Sequence, residues 1–355
     1  MRVGIIAPPW LPVPPPGYGG TEVVVDQLAR GIQAAGHDVL LCATADSTCP
    51  VPIAATFPRA VGTAGLGSAP ELSHVIAGYA AVAEWGADVV HDHTLVGPLY
   101  GTRTGIPIVT TNHGPFEGEL AEYYRIIAED VAVVAISRHH ASTAGATPIA
   151  AVIYHGLDVD AITPGAGGGG FALFLGRMNP CKGADRAIRI AKAAGVPLKI
   201  ASKLQEPEEE AYFREAVEPL LGGSVEFLGE VGAAPKDELL ADAMCLLNPV
   251  NWAEPFGMVM AEALAHGTPV LAMPCGSVPE LIDDGITGFI RGTEQELSEA
   301  LPEVSRLNRT LCRQAAVERF STGRMVDDHL ALYRRVVMTA HVPLYEPTIG
   351  GTAAR

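Results

Sequence analysis

Short apolar runs, each the length of a strand buried on both faces, recur along this chain, separated by longer segments whose apolar positions repeat at helical spacing. In the first half the runs are residues 2–7, 39–43, 88–93, 106–111 and 131–136. Between the first two, Val24, Leu28 and Ile32 fall at i, i+4 and i+8 on one face of a helix, and Gly36 ends it. A second helix is predicted around 73–85, while 44–70, rich in Ala, Thr, Pro and Gly, reads as loop. A glycine-rich tract at 163–170 interrupts the alternation. The pattern then restarts with runs at 171–175, 198–201, 225–228 and 244–248, an acidic helix start at 205–210 and helices over 294–338. Strand–helix alternation taken up twice predicts an α/β protein of two domains, 1–165 and 166–324, joined by a glycine hinge. The Pro/Gly/Thr-rich residues 341–355 read as a flexible tail.

Composition sharpens this picture. A chain of 355 residues can bury two cores, and 48% apolar residues with 39 glycines and only 6% aromatics suit an Ala/Val-rich α/β protein. No apolar run approaches the roughly 20 residues that a membrane-spanning helix needs. The run at 2–7 is too short for a signal peptide. Six cysteines without a Cys-x-x-Cys pair indicate neither a zinc site nor a disulfide framework, so a reducing cytoplasm is expected. Net charge is −16, and residues 1–165 hold six Arg, no Lys and fifteen Asp or Glu, a balance of −9. Such a surface repels nucleic acid and anionic lipid, which excludes the first as a partner and speaks against membrane association.

The chemistry-bearing segments stand at the ends of the apolar runs. After the first run a Pro-rich loop, 8–16, leads to Gly17, Gly19 and Gly20 ahead of a helix, an anion-binding arrangement of strand, glycine turn and helix N-terminus. His91 and His93 fall on one side of a strand end, where a His-x-His pair could ligate a metal, yet no third or fourth ligand is evident at a recognisable spacing. His113 follows the run at 106–111. Arg177 and Lys182 sit in the first loop of the second half, before a helix. Asn251–Val270 carries Glu254 in a turn and Glu262 in a helix predicted to start near Pro255 or Phe256 and to stop at Gly267. Eight residues of separation set the two carboxylates roughly 10 Å apart, too far for an acid–base pair on one bond. The spacing suits one extended ligand held at two places, such as a sugar at one end and a nucleoside ribose at the other.

Glu254-x7-Glu262, with Phe256-Gly257 after the first carboxylate and Gly267-Thr268-Pro269-Val270 closing the helix, resembles the signature of the retaining glycosyltransferases of family 4, enzymes of the GT-B fold. Further segments match in family order: the Gly19-Gly20-Thr21-Glu22 loop, the strand-end His113-Gly114, the Gly176-Arg177-x4-Lys182-Gly183 loop, and the turns at 275–280 and 285–289. The resemblance runs from residue 2 to about 338. It implies two Rossmann-like domains facing each other across a cleft, with a last helix (325–340) crossing back onto the first. It further implies a nucleoside-diphosphate sugar as donor, UDP- or GDP-linked, and a glycan or small-molecule acceptor. Gly19 and Gly20 would contact the donor, Arg177 and Lys182 its diphosphate, Glu262 the ribose and Val231 the base. Glu254 with the N–H groups of Phe256 and Gly257 would hold the sugar, and His113 would sit beside the reacting carbon. The family works without a metal or other cofactor, two fixed cations stabilising the leaving diphosphate instead. Two positions depart from the family pattern: Cys181 replaces a Glu and His155 an Asn. Nothing in the sequence supplies an enzymic nucleophile, which favours same-face attack assisted by the leaving phosphate. A sugar-nucleotide epimerase and a non-catalytic sugar-nucleotide-binding protein are the alternatives. The first lacks an acid–base set beyond His113, and the second is disfavoured by the intact charged set.

Overall fold

The computed structural model describes residues 1–17, 19–62 and 68–340. Its framework is two sheets, parallel throughout. The first has seven strands, β1 (Arg2–Ile6), β2 (Asp38–Ala43), β3 (Ile53–Ala55), β4 (Val89–Asp92), β5 (Ile108–Thr111), β6 (Ala132–Ala135) and β7 (Ile149–Val152), in the order β3-β2-β1-β4-β5-β6-β7. The second has six, β8 (Ala172–Leu175), β9 (Leu198–Ala201), β10 (Val225–Gly229), β11 (Cys245–Asn248), β12 (Val270–Ala272) and β13 (Gly288–Ile290), in the order β10-β9-β8-β11-β12-β13. The central strands are buried on both faces, as their unbroken apolar runs require. Two Rossmann-like halves of this kind make a GT-B fold.

In each sheet the strand order reverses beside the first strand, between β1 and β4 and again between β8 and β11. Ligands of open α/β sheets bind outside the carboxyl ends of the strands at such a switch point. The loops that follow β1, β4, β8 and β11 are therefore the places to look. Among the described residues no helix is long and apolar enough to cross a membrane.

The first helix, Gly20–Ala34, buries Val24, Leu28 and Ile32 and ends ahead of Gly36, as its periodicity indicated. The last helix, Thr322–Ala340, belongs to the core of the first sheet although it is made from the chain's end. Its Met325, Val326, Leu330 and Tyr333 pack with Val25, Leu28 and Ile32. Thr322 also donates a hydrogen bond to Gln27 (3.0 Å).

Four readings change. Residues 44–70 are not all loop: β3 and the start of the Ser68–Trp85 helix lie there, while 63–67 fall outside the described residues. β3 is a three-residue edge strand, too short to show a pattern. β7 is a further edge strand, with a half-exposed pattern that gives no apolar run. The signature helix is shorter than predicted, Met258–Ala265, because Gly257 has φ +83°, outside the helical region. Its end agrees with the sequence: Gly267 is left-handed (φ +76°), and the N–H groups of Gly267 and Thr268 return to the carbonyls of Leu264 and Ala263. The glycine tract is no free hinge. The N–H groups of Gly165, Gly167 and Gly169 donate to His266, Ala241 and Asp242 carbonyls at 2.9, 3.1 and 2.9 Å. Arg309 adds bonds to the carbonyls of Gly165, Ala241 and Ala243, so the tract is strapped to the second half. The expected tail, 341–355, lies outside the described residues.

Candidate active site

The loop after β8 and the loop after β11 meet. Lys182 donates from Nζ to Oε1 of Glu254 in a largely buried ion pair, and its ammonium lies 5.2 Å from the centre of the Trp252 ring. Asn179 organises the lysine loop: its carbonyl accepts from the N–H of Lys182 (2.9 Å) and its side chain from the N–H of Cys181 (3.0 Å). Arg186, in the first turn of the next helix, donates to the carbonyls of Pro249 (2.7 Å), Pro180 (3.0 Å) and Cys181 (3.2 Å), which ties the two loops together. Arg177 is different. It is exposed, and its guanidinium has no partner among the described residues.

The Glu254 turn is clamped from behind. Ser277 donates its N–H to the Glu254 carbonyl (3.1 Å) and its hydroxyl to the Phe256 carbonyl (2.6 Å). Gly276 lies so close that a Cβ there would strike the Glu254 backbone. With Oε1 taken by Lys182, the other oxygen of Glu254, Oε2, is buried without a hydrogen-bond partner among the described residues. A buried carboxylate oxygen in that state is an unused acceptor of considerable strength.

Glu262 points from the signature helix to Lys236, whose Nζ donates to Oε1 at 2.7 Å. Burial works against the Lys236 charge, but Glu262 and Asp237 together outweigh it and raise the ammonium's pKa. Because the helix starts at Met258, its free first-turn N–H groups are those of Gly257, Met258 and Val259, while Phe256 is buried at the core's edge. Val231 is half-buried just past β10. Beside it, Glu230 approaches Gly17 of the first half, where a Cβ would stand 3.1 Å from the carboxylate. Gly19 precedes the first helix and has no room for a side chain against Leu11 and Pro15, whereas Gly20 is exposed with open space around it. Tyr18, between Gly17 and Gly19, lies outside the described residues.

His113 belongs to a row of histidine rings. His329 of the last helix lies 5.0 Å from His91, His91 4.1 Å from His93, His93 5.2 Å from His113, and His113 5.2 Å from His155. The row ends on Phe256 of the second half, edge-on to His155 at 5.1 Å. His91 is held by Tyr333 Oη (2.6 Å) and Thr111 Oγ1 (2.8 Å), and His93 Nδ1 meets His113 Nε2 at 2.9 Å. Burial lowers the pKa of His91, His93 and His155 well below the usual histidine value. It brings His113 to about 3 and His329 to about 4; neighbouring imidazoles add to the effect at His91, His93, His113 and His155, and the Arg324 charge adds to it at His329. The row is neutral at pH 7. His91 has both ring nitrogens engaged, which leaves it no lone pair for a metal. No group of three His, Cys, Asp or Glu stands poised for an ion among the described residues.

A second contact joins the halves. Glu280 accepts the N–H groups of Arg138 (2.8 Å) and His139 (2.6 Å) and the hydroxyl of Tyr154 (2.7 Å). Trp252, Arg186, Lys236 and Glu280 were given no role from the sequence, and His155 was noted there only as the replacement of an Asn. Each acts through a partner distant in the chain, and only for His155 did the replaced Asn offer a signal.

Two facing Rossmann-like domains with these loops at their switch points define a protein of the GT-B glycosyltransferase class. The family model described as "Glycosyl transferases group 1" matches residues 162–316 and that described as "Glycosyltransferase Family 4" matches 18–161. The chain belongs to this group 1, family-4-like family of glycosyltransferases. It is 28% identical over 341 residues to the phosphatidyl-myo-inositol mannosyltransferase of Mycobacterium leprae, covering 86% of this chain and 88% of that one. Among solved structures it superposes on AviGT4, a glycosyltransferase involved in avilamycin A biosynthesis, with a TM-score of 0.72 at 24% identity, over 96% of this chain and 98% of that one. It also superposes on Anabaena HepE in complex with UDP and glucose, with a TM-score of 0.70 at 21% identity over 93% and 98%.

Proposed function

We propose that this glycosyltransferase moves a hexose-type sugar from a UDP- or GDP-sugar to an acceptor hydroxyl, with retention of anomeric configuration and without a metal ion. The observation that carries the reading is the meeting of Lys182 and Glu254, with Glu254 Oε2 buried and unpartnered beside the ammonium. A donor placed here offers both groups what they lack. Its diphosphate takes over Lys182 together with the free Arg177, and its sugar hydroxyls donate to the carboxylate of Glu254. Glu262, one helix away, accepts from the ribose hydroxyls in exchange for part of its bond to Lys236, while the loop at Val231 borders the base. The N–H groups at Gly257, Met258 and Val259 add the positive end of the helix.

As the sugar–phosphate bond breaks, negative charge collects on the leaving diphosphate, and the two cations stabilise it there. That is the electrostatic preorganisation a metal would otherwise supply. The acceptor hydroxyl attacks from the side of the first half near His113, and its proton passes to the leaving phosphate. His113 is neutral at pH 7 and engaged by His93 at one nitrogen, which suits it to hold a sugar oxygen rather than to take the acceptor's proton. An acidic, lysine-free first half fits a soluble glycan or natural product as acceptor better than an anionic lipid.

Following nucleotide release from a panel of UDP- and GDP-sugars, with and without EDTA, and the anomeric proton of the product by NMR tests this. Expected are turnover of one donor family in EDTA and a product with the donor's anomeric configuration. An inverted product, or activity abolished by EDTA, contradicts it.

A further inference from the structure

His93 and His113 share one proton across 2.9 Å, and the surroundings decide which ring owns it. If His113 donated from Nε2, the accepting Nδ1 of His93 would be bare and the His93 proton would have to sit on Nε2. That nitrogen is buried with no hydrogen-bond partner. A buried N–H without an acceptor is disfavoured by roughly tenfold or more, whereas an unused lone pair in the same place is better tolerated. In the opposite arrangement His93 donates from Nδ1 and only a lone pair is buried at its Nε2. The neutral His113 must then keep its own proton on Nδ1, the nitrogen that has no protein partner among the described residues.

The stack leaves His93 little freedom to choose otherwise. It is 6% exposed, lies against the ring of His91, and gives its backbone N–H to the Ile6 carbonyl (2.9 Å) at the switch point of the first sheet. His91 is fixed in turn by Tyr333 and Thr111, and His329 donates from Nδ1 to the Met325 carbonyl at 2.8 Å. On the far side, His155 stacks nearly parallel on His113 at 19°. The His113 ring is thus held face and edge, and one nitrogen stays open.

We propose that His93 is a positioning residue that fixes His113 as the Nδ1–H tautomer, so that His113 offers the ligand a hydrogen-bond donor and not a base. The placing of His113 at the sugar rests on the function proposed above; the tautomer does not. Resting on it, the pair selects donor sugars that present an acceptor oxygen at that position. It also leaves the acceptor's proton to the departing phosphate.

Nitrogen NMR of the full chain labelled with 15N-histidine tests both levels. The His113 signals are assigned by their loss in His113→Gln. The expected wild-type spectrum has a protonated Nδ1 and a bare Nε2 on a neutral His113. In His93→Glu, which replaces the donor by an acceptor, the proton of the neutral His113 should move to Nε2, and kcat/KM should fall about 10- to 100-fold. In His93→Gln, whose amide can still donate, the tautomer and most of the activity should return. An Nε2–H tautomer in the wild type overturns the proposal without need of any variant, as does an unchanged tautomer in His93→Glu. The expected spectra with unaltered turnover in His93→Glu would leave the tautomer standing and remove His113 from the sugar site.

Discussion

Arg177 and Lys182 bring the same charge to the same loop but meet different surroundings. Lys182 is neutralised by Glu254 and fixed by the turn around Asn179, whereas Arg177 stands exposed and unpaired among the described residues. Arg177 has no structural task that its loss would disturb, so Arg177→Ala should leave the melting midpoint within about a degree of wild type. Turnover should nevertheless drop roughly 10²- to 10³-fold, the cost of one well-aimed electrostatic donor. Nucleotide release at saturating donor measures it, and turnover within threefold of wild type would take Arg177 out of the chemistry. The charged residues were legible in the sequence because they sit in local strings at strand ends. Their pairing was not: Lys182 and Glu254 are 72 positions apart, and Lys236 and Glu262 are 26 apart. No spacing rule spans such distances, and the sheet alone brings them together.

At the scale of elements, the Glu254 turn shows how a backbone conformation aims a side chain. Gly257 has φ +83°, ends the turn and starts the Met258–Ala265 helix, and a Cβ there would strike the end of Met260. An L-residue in that region costs about 1–2 kcal/mol. Gly257→Ala should therefore lower the melting midpoint modestly and kcat/KM by about tenfold or more, since a catalytic group displaced by 1 Å can lose 10²-fold. Equal activity in the variant would show that the turn does not aim Glu254. The same glycine explains the mistaken helix start: Pro255 and Phe256 read as a good first turn, and a left-handed residue after them leaves no mark in the sequence. Central strands were legible because burial on both faces writes an unbroken apolar run. β3 and β7, at opposite edges of the first sheet, carry no such run.

For the whole molecule, the row of histidines sets how stability depends on acid. Besides the more exposed His37, seven histidines, 74, 91, 93, 113, 140, 155 and 329, have pKa values lowered by burial. The unfolded chain takes up protons below about pH 6.5 while the folded chain does not, so stability is fully present above that pH and is lost as pH falls. Each histidine held neutral is worth up to about 2 kcal/mol between pH 6.5 and 5. Asp92, raised to about 7 by its burial, and Glu22, also raised by burial, work in the opposite sense, but they are two groups against seven. The melting midpoint should fall steadily from pH 7 to 5, and a profile flat down to pH 5 would contradict the buried neutral row. Because the row runs from the last helix to Phe256, both halves and the returning helix should feel the loss together.

Transfer from a sugar nucleotide needs a nucleotide seated between Glu262 and the Arg177–Lys182 loop, and ligand-induced stabilisation measures that directly. UDP, GDP, ADP and dTDP would each be titrated against the thermal midpoint, with and without EDTA, in the wild type and in Glu262→Ala. A nucleotide present at 100 times its Kd should add about 2.7 kcal/mol of stability. UDP or GDP should raise the midpoint, EDTA should leave the rise unchanged, and Glu262→Ala should abolish most of it. Stabilisation by none of the four, or an equal rise in Glu262→Ala, would contradict that seating of the nucleotide.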